Sequence, residues 1–548
     1  ILSKTLGNKK IKLVYKGNGV ENVKVSFKDQ DKFSINDKEI LQLAKWALII
    51  EKHYNKPMDM EWAKDGKTGK LFIVQARPET VQSQKNLNIL EEYILAKPKT
   101  QIAKHNILCY GKAVGSKIGH GKAHIITDVK DINKFRQGEV LVTEMTDPDW
   151  VPVMKIASAI VTNSGGRTCH AAIVSRELGV PCVVGTGNAT EKIKDQENIT
   201  VSCAEGEVGN VYSGLVSYKV KKTDLKALKS LARGTKTKIM LNVGEPERAF
   251  EFSFVPNDGV GLAREEFIVN NYIKIHPMAL LNYDKLKDNK LKNQIDKLTK
   301  EYKNKTDFYI GELSEGIARI AAAFYPKDVI VRLSDFKTNE YANLIGGTDF
   351  EPKEDNPMIG WRGASRYYDP KFIEVFKLEC KAFHKVREEM GLDNVKIMIP
   401  FVRTIDEAKK VIQIMASQGL KRGGNKLEIY MMVEIPSNII LAEEFAKLFD
   451  GFSIGSNDLT QLTLGLDRDS GLIAHVGNEK NEAVKKLIIQ AIQVAKKTKT
   501  KIGICGQAPS DFPDFAQFLS KQGIDSISLT PDSVIKTMIE MNKAGKKK

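Results

Sequence analysis

Short apolar runs alternate with long amphipathic stretches over the C-terminal part of the chain. Each run is short enough for a buried strand and is bounded by polar or glycine-containing turns. The runs are Lys238–Val243, Val260–Ala263, Val329–Leu333, Val395–Pro400, Glu428–Glu434, Phe452–Gly455, Lys501–Cys505 and Ser526–Leu529. Eight such runs separated by helical patterns predict an α/β fold with a (β/α)8 barrel over residues 237–545. A doubly wound open sheet is the alternative.

Residues 107–217 carry shorter apolar runs rich in glycine, which predict a compact unit of short strands with one or two helices. Gly165 and Gly166 end one of these runs, and a helix-like stretch follows until Gly179 and Pro181. His170 falls in the first turn of that helix, where free N–H groups and the helix dipole favour an anion. The pattern alone also fits an ordinary capped helix with a surface histidine.

The first 85 residues combine a helical pattern, Glu39–Tyr54, with two strand-like runs on either side of Asp65-Gly66. The runs hold Glu61, Gln75 and Arg77, which the pattern alone places at a sheet edge. Residues 86–106 and 218–236 are polar and rich in lysine, and are predicted to be linkers.

Composition is that of a globular protein, with 42% hydrophobic and 28% charged residues among 548. No apolar run approaches the ~18–20 residues that span a bilayer, and no signal peptide is visible. Six cysteines without metal-binding spacing indicate a reducing cytoplasm. The lysines behind the net charge of +16 are scattered, so we expect small anionic substrates rather than nucleic acid or a membrane. Because the first residue is Ile1, the start is interpreted as truncated or internal.

Polar residues gather where the predicted barrel strands end, which is the catalytic face of such barrels. Arginines bind phosphate and carboxylate groups bidentately, and two neighbouring carboxylates suit Mg²⁺. Each residue also has a structural interpretation, as the partner of a loop carboxylate, a helix cap or a buried cysteine. The candidates are Arg264, Arg332, Arg362, Glu434, Gly455, Ser456, Asn457, Asp458 and Cys505.

Three strings resemble signatures of the PEP-utilising enzymes, and the resemblance covers nearly all of residues 1–545. They are GGRTCHAAIVSRELGVPCVVG, MMVEIPSNIILAEEFAKLFDGFSIGSNDLTQLTLGLDRD and GICGQAPSD. The resemblance implies that His170 is phosphorylated during catalysis and that Cys505 donates a proton to the methylene carbon of PEP. It also implies roles in binding PEP for Arg264, Arg332 and Arg362, in binding Mg²⁺ for Glu434 and Asp458, and in lining the substrate for Gly455, Ser456 and Asn457.

In this family, residues 107–217 correspond to a swivelling phosphohistidine domain. Residues 1–85 resemble the C-terminal end of an ATP-grasp domain, whose glutamate near the metal matches Glu61. Gln75 and Arg77 match residues near the ATP phosphates, and we expect most of that domain to be missing. A regulatory phosphorylation site two residues before the histidine matches Thr168.

Three details favour the family branch that makes PEP from pyruvate, ATP and water, releasing AMP and phosphate. They are Thr-Cys-His at the phosphohistidine, Gly-Gln-Ala-Pro-Ser after Cys505, and the run Asn339–Leu344. We also expect a homo-oligomer assembled through the barrel. The alternatives are a pyruvate phosphate dikinase, an enzyme I-like phosphotransferase and a half-competent module unable to use ATP. The ATP-grasp-like strands from Glu61 to Arg77 argue against the enzyme I-like phosphotransferase.

Overall fold

The computed structural model divides the chain into two compact units, Ser3–Asp224 and Leu225–Lys548, which are described separately. The structure describes all residues except 5, 8, 18, 31, 80–88, 97–106, 147–149, 166–169, 207, 225–235, 467–472, 474, 475, 532 and 546–548. At positions 89, 90, 151, 170, 173, 176, 177, 223, 224 and 542–545 it describes the backbone alone. None of the helices within the described residues is long and apolar enough to cross a membrane.

The first unit contains thirteen strands among its described residues, arranged in three small sheets and one closed barrel. The strands are β1 (Ile11–Lys16), β2 (Gly19–Lys24), β3 (Met58–Lys64), β4 (Leu71–Pro78), β5 (Ile89–Leu95), β6 (Ile107–Val114), β7 (Ile118–Ile125), β8 (Val140–Thr143), β9 (Ala159–Thr162), β10 (Cys182–Val184), β11 (Asn198–Ser202), β12 (Val208–Ser213) and β13 (Tyr218–Asp224). β1 pairs with β2 and β3 with β4, both antiparallel. The barrel has the order β10-β6-β12-β11-β7-β8-β9.

The predicted N-terminal helix extends over Asp37–Tyr54. It begins there because Asn36 and Glu39 form a reciprocal capping box at its first turn. The Asn36 side chain accepts from the Glu39 N–H at 3.1 Å, and the Glu39 carboxylate accepts from the Asn36 N–H at 2.8 Å. The strand pair predicted after this helix is confirmed as β3 and β4. The shorter helices of this unit are Phe27–Gln30, Val151–Met154, His170–Leu178 and Ala189–Lys192.

The seven-stranded barrel positions the helix that begins at His170. Its strands alternate between two apolar layers, with Val140 and Val142 in one and Leu141 in the other. Ala171 and Ala172 are fully buried in the same layer as Leu141. The helix therefore packs closely on the outer face of the barrel, which fixes the place of its first turn.

The two predicted linkers are not linkers along their whole length. β5 and β13, one from each, pair antiparallel over seven residues, with Leu95 opposite Tyr218 and Ile89 opposite Asp224. Glu91 faces Lys222 at 3.0 Å, and Glu92 faces Lys221 at 3.6 Å. The charged residues that suggested linkers instead lie on two paired strands, where glutamates of β5 face lysines of β13.

The second unit contains a closed barrel of eight parallel strands, which confirms the (β/α)8 prediction over the open sheet. The strands are β14 (Lys238–Val243), β15 (Val260–Arg264), β16 (Val329–Arg332), β17 (Val395–Ile399), β18 (Ile429–Val433), β19 (Gly451–Ile454), β20 (Lys501–Ile504) and β21 (Ser526–Leu529). Most of their residues are buried, as expected for strands enclosed by helices on one side and by the barrel interior on the other.

Helices follow the strands and surround the barrel. They are Ala249–Ser253, Glu265–Ile268, Pro277–Leu281, Asn289–Leu298, Lys305–Phe324, Thr338–Ala342, Ala364–Tyr367, Ile373–His384, Ile405–Ser417, Pro436–Ile440, Ala442–Ala446, Ser456–Leu464, Glu482–Thr498, Ala508–Asp511, Pro513–Gln522 and Val534–Gly545. Several of them begin directly after a strand, so the strand ends and helix starts lie together at the carboxyl face.

Candidate active site

A cavity of about 510 Å³ opens at the carboxyl ends of the barrel strands. It is lined by residues from the loops after β15, β16, β18, β19 and β20, together with Arg362. The candidates among its lining residues are Arg264, Arg332, Arg362, Glu434, Gly455, Asn457, Asp458 and Cys505. The structure therefore brings together all but one of the residues predicted from the strand ends, the exception being Ser456, whose neighbours line the cavity.

Arg332, the last residue of β16, is held in place by two carboxylates. Its Nη2 donates to Glu266 Oε1 at 2.8 Å, and its Nη1 lies 3.4 Å from Asp335 Oδ2. Burial disfavours its charge, but the charges of Glu266 and Asp335 outweigh burial, so the pKa of Arg332 is raised. Arg332 thus presents a permanent, oriented positive charge to the cavity.

Arg264 lines the same cavity, with its guanidinium 6.0 Å from the Phe267 ring centroid.

Arg362 is almost completely buried and bridges two carboxylates. It binds Asp335 through Nε at 3.0 Å and Nη2 at 2.6 Å, and Nη1 donates to Asp458 Oδ1 at 3.3 Å. Its guanidinium carbon lies 4.1 Å from the Phe401 ring centroid. The planar group is therefore fixed by hydrogen bonds at its edges and by an aromatic ring against its face.

Glu434 follows β18 and is fully buried. Its Oε1 accepts from the Phe401 N–H at 2.7 Å, whereas Oε2 has no hydrogen-bond partner among the described residues. Burial, and then the charges of Asp335 and Asp458, raise the pKa of Glu434 to about 8. A Cβ at position 455 would lie 2.8 Å from Glu434 Oε2, so Gly455 leaves room beside this oxygen.

These features fit a divalent cation at Glu434 and Asp458. An unpartnered, buried carboxylate oxygen beside two other acids is the environment that a cation would stabilise. The described residues form no group of three or more His, Cys, Asp or Glu side chains able to hold a metal. A site with only two protein carboxylates suits Mg²⁺, which usually keeps positions for water and substrate oxygens.

Cys505 follows β20 and is buried, with Leu262, Met398 and Met432 among the members of its apolar cluster. Its Sγ donates to the Ile454 carbonyl at 3.7 Å. Burial outweighs the nearby arginines and raises the pKa of this thiol to about 11, so the thiol holds its proton at neutral pH.

His170 is the first residue of the helix His170–Leu178, as predicted. Further back in the chain, Glu144 holds Asn163 and Ser164, because its carboxylate accepts from the Ser164 hydroxyl at 2.6 Å and from Asn163 Nδ2 at 2.7 Å. Only the backbone of His170 is described, and Thr168 lies outside the described residues. The structure therefore places the helix start and gives no contact of either side chain.

Glu61, Gln75 and Arg77 lie on one face of the β3–β4 pair. Glu61 is opposite Gln75, and Arg77 is two residues further along β4, opposite Asp59. All three side chains are exposed, and Arg77 Nε lies 3.7 Å from Asp59 Oδ2. The structure thus brings these three predicted residues together on one surface.

Sequence reasoning missed Asp335 and Glu266, which orient the arginines. Each lies two or three residues after a predicted arginine, Arg264 or Arg332, and this spacing was the available signal. The pairing itself is not visible in the sequence, because Glu266 follows Arg264 in the chain but binds Arg332, the arginine of the next strand.

Sequence models of three domains match the chain. The PEP-binding domain of PEP-utilising enzymes matches residues 219–545, and the mobile domain of PEP-utilising enzymes matches residues 135–206. The AMP/ATP-binding domain of pyruvate phosphate dikinase matches residues 1–96. The expectation that most of this last domain is missing is therefore not supported. The fold and the matched domains define a PEP-utilising enzyme.

The chain is 59% identical to the phosphoenolpyruvate synthase of a Synechocystis species over 99% of its own length. It is 56% identical to that of Aquifex aeolicus over 100%, and 54% identical to that of Escherichia coli over 99%. The chain belongs to the phosphoenolpyruvate synthase family, which confirms the predicted family branch. It spans 66%, 70% and 67% of the length of these three relatives.

Proposed function

We propose that the cavity at the carboxyl face of the barrel interconverts PEP and pyruvate, with His170 as the phosphoryl carrier. The observation that supports this most is that three arginines, the acids Glu434 and Asp458, and the neutral thiol of Cys505 line a single cavity. The whole reaction would form PEP, AMP and phosphate from pyruvate, ATP and water. Glu61, Gln75 and Arg77 would then contact the nucleotide.

The arginines would bind the anionic groups of the substrate. Arg264 and Arg332 would bind the phosphate and carboxylate of PEP, and Arg362 would add a third positive charge to the binding site. Arg332 and Arg362 are already oriented by Asp335, so little side-chain freedom is lost when the substrate binds. Gly455 and Asn457 would line the cavity next to Asp458, with Ser456 between them in the chain.

Glu434 and Asp458 would hold Mg²⁺, which supplies Lewis-acid stabilisation of the substrate oxygen when bound. The thiol of Cys505 is protonated at neutral pH, so it can deliver a proton to the methylene carbon when pyruvate forms. In the opposite direction the small thiolate fraction would take a proton from the methyl group.

Incubating the full chain with Mg²⁺ and PEP labelled at phosphorus tests the proposal. We expect label on His170 and none on the variant His170→Ala. His53→Ala, which changes an exposed histidine in the same unit, is the matched control and should label normally. Label at another residue, or no label on the parent chain, would contradict the proposed function.

For Thr168 we propose a regulatory role. A phosphate at this position would add about −1.5 to −2 charges two residues from His170 and repel the incoming phosphoryl group. Thr168→Glu should slow the labelling of His170, whereas the neutral Thr168→Val should not. Equal rates for both variants would rule out the charge mechanism.

Assembly into a homo-oligomer through the barrel also stays a prediction, which sedimentation would test.

A further inference from the structure

Two consecutive residues, Glu479 and Lys480, fasten one segment of the chain to the carboxyl face of the barrel. The Glu479 carboxylate accepts from the hydroxyl of Ser456 through Oε1 and from the backbone N–H of Ala508. Ser456 is fully buried and begins the helix after β19. Ala508 begins the helix after β20. One side chain thus contacts the segments that directly follow two neighbouring strands, residues 455–458 and 505–508, which are called the Asp458 loop and the Cys505 loop below.

The two loops carry residues of the proposed active site. The first holds Asn457 and Asp458, and the second holds Cys505. They also contact each other directly, since the Gln507 N–H donates to Asn457 Oδ1 at 3.3 Å. The two loops meet just beside the cavity.

The contact is closest at Gly506. A Cβ at this position would lie 1.8 Å from Ser456 Oγ and 2.7 Å from the Ser456 backbone nitrogen. No side chain fits there, so the loops meet at backbone distance and the position of the Ser456 hydroxyl oxygen matters. Glu479 holds that oxygen in place through their hydrogen bond.

Lys480 anchors the same segment on its other side. Its Nζ lies 2.8 Å from Asp514 Oδ2 and 3.0 Å from Oδ1, and 4.2 Å from the Phe512 ring centroid. Asn478 Oδ1 accepts from the Lys480 N–H at 2.8 Å. The backbone beneath Glu479 is therefore held by contacts that do not involve the active-site loops.

We propose that Glu479 is a positioning residue that holds the Asp458 loop and the Cys505 loop in a fixed relation. It does not touch the cavity, since it is not among the lining residues. It acts by keeping the thiol that moves the proton aligned with the carboxylates and arginines that bind the substrate. The inference rests on the proposed function of the cavity.

Loss of Glu479 should slow proton transfer much more than it weakens PEP binding. Misplacing a reacting group by about 1 Å can lower a rate ~10²-fold, and removing a residue that orients a ligand typically costs 10- to 100-fold. In Glu479→Ala we expect exchange at the pyruvate methyl to fall about 10- to 100-fold. PEP binding in the presence of Mg²⁺ should change much less, because Glu434 and the arginines are held by other contacts.

Glu479→Gln distinguishes hydrogen bonding from charge. A glutamine can accept from the Ala508 N–H with its oxygen and donate to the Ser456 oxygen with its amide. It should therefore restore most of the exchange rate. Glu482→Ala is the matched control, because Glu482 lies three residues away, is 78% exposed and pairs with Lys485 of its own helix at 2.9 Å.

The experiment measures two quantities for the full chain and each variant: deuterium wash-in at the methyl of pyruvate with Mg²⁺, and PEP affinity by calorimetry with Mg²⁺. Slow exchange with nearly normal affinity in Glu479→Ala, and rescue in Glu479→Gln, support the inference. Parent-like exchange in Glu479→Ala, or equal loss in both variants, overturns it. A parent chain without exchange contradicts the proposed function, and this inference with it.

Ser456→Ala tests the same contact from its other end if Glu479→Ala lowers the thermal midpoint. Combined in one chain, the two substitutions should lower exchange by less than the product of their separate effects, because both remove one hydrogen bond. Fully multiplicative effects would show that Glu479 acts independently of Ser456 and would overturn the inference.

Discussion

Arg362 and Asp335 form a buried ion pair with two parallel hydrogen bonds, of 3.0 Å and 2.6 Å. Burial disfavours the charge of Asp335, but the charges of Arg362 and Arg332 outweigh it, so the pKa of Asp335 is lowered. Asp335 also lies 3.4 Å from Arg332. One carboxylate therefore orients two of the three arginines of the proposed site.

Asp335→Asn should weaken both folding and PEP binding. The substitution leaves two buried guanidinium groups with too little negative charge, and breaking a buried pair typically costs about 3–5 kcal/mol. Chemical denaturation and calorimetry with PEP would measure the two effects. Asp406→Asn is the control, because Asp406 is 84% exposed and lies 3.9 Å from Lys409, so we expect a change within about 0.5 kcal/mol.

Cys505→Ser should separate binding from proton transfer. Serine nearly keeps the shape of cysteine, but its hydroxyl is a far weaker acid than a thiol. We expect PEP and Mg²⁺ to bind almost normally, while deuterium wash-in at the pyruvate methyl is lost. Exchange at the parent rate would show that Cys505 is only a packing residue.

In the parent chain, the rate of deuterium wash-in should rise with pH between 7 and 9, because a pKa of about 11 leaves little thiolate at pH 7.

Binding of Mg²⁺ should release a proton. With a pKa of about 8, Glu434 is mostly protonated at pH 7 before the cation binds. The affinity for Mg²⁺ should therefore increase between pH 6 and pH 8, by up to about tenfold per unit. Calorimetry in two buffers with different ionisation enthalpies measures the released proton directly. Glu434→Gln should abolish both the release and most of the affinity, and proton release in that variant would contradict the assignment.

Glu379→Gln should stabilise the barrel at pH 8 more than at pH 5. Burial, opposed by hydrogen bonds from Ser334 and Glu265, raises the pKa of Glu379 from 4.5 to about 8. Between these values the folded chain holds a proton that the unfolded chain has lost, so stability falls as pH rises. Glutamine keeps the neutral form at every pH.

Thermal midpoints of the parent chain and of Glu379→Gln at pH 5 and pH 8 would test this expectation. The control is Glu374→Gln on the same helix, whose side chain is 62% exposed and pairs with Lys377 at 2.7 Å. A difference between parent and Glu379→Gln that is the same at both pH values would show that Glu379 does not titrate in this range.

The strands of the second barrel could be predicted almost to the residue. Strands enclosed by helices and by a barrel interior give continuous apolar runs, such as Val395–Ile399, with polar residues directly after them. The topology then places these polar residues at one face. This reasoning located Arg332, Glu434 and Cys505 without knowledge of any contact.

Other features could not be predicted, because they depend on contacts between distant segments. Glu479 meets Ser456 across 23 residues, and the polar sequence around Glu479 gives no sign of this hydrogen bond. The pKa of Cys505 depends on a balance between burial and the charges of Arg332 and Arg264, which only the folded site fixes. β5 and β13 pair across more than 120 residues, and their charged faces resemble linkers until they are opposed.

The pairing of β5 with β13 has a consequence for how this protein could be rearranged. Leu95 lies opposite Tyr218, and the Ala96 N–H donates to the Ser217 carbonyl at 2.9 Å. The chain therefore enters and leaves the stretch between residues 96 and 217 at neighbouring points. A segment whose two ends lie side by side can be cut out and joined to a different host without stretching either junction. The ends of the stretch that contains His170 are thus placed so that recombination could move it into another protein as one piece.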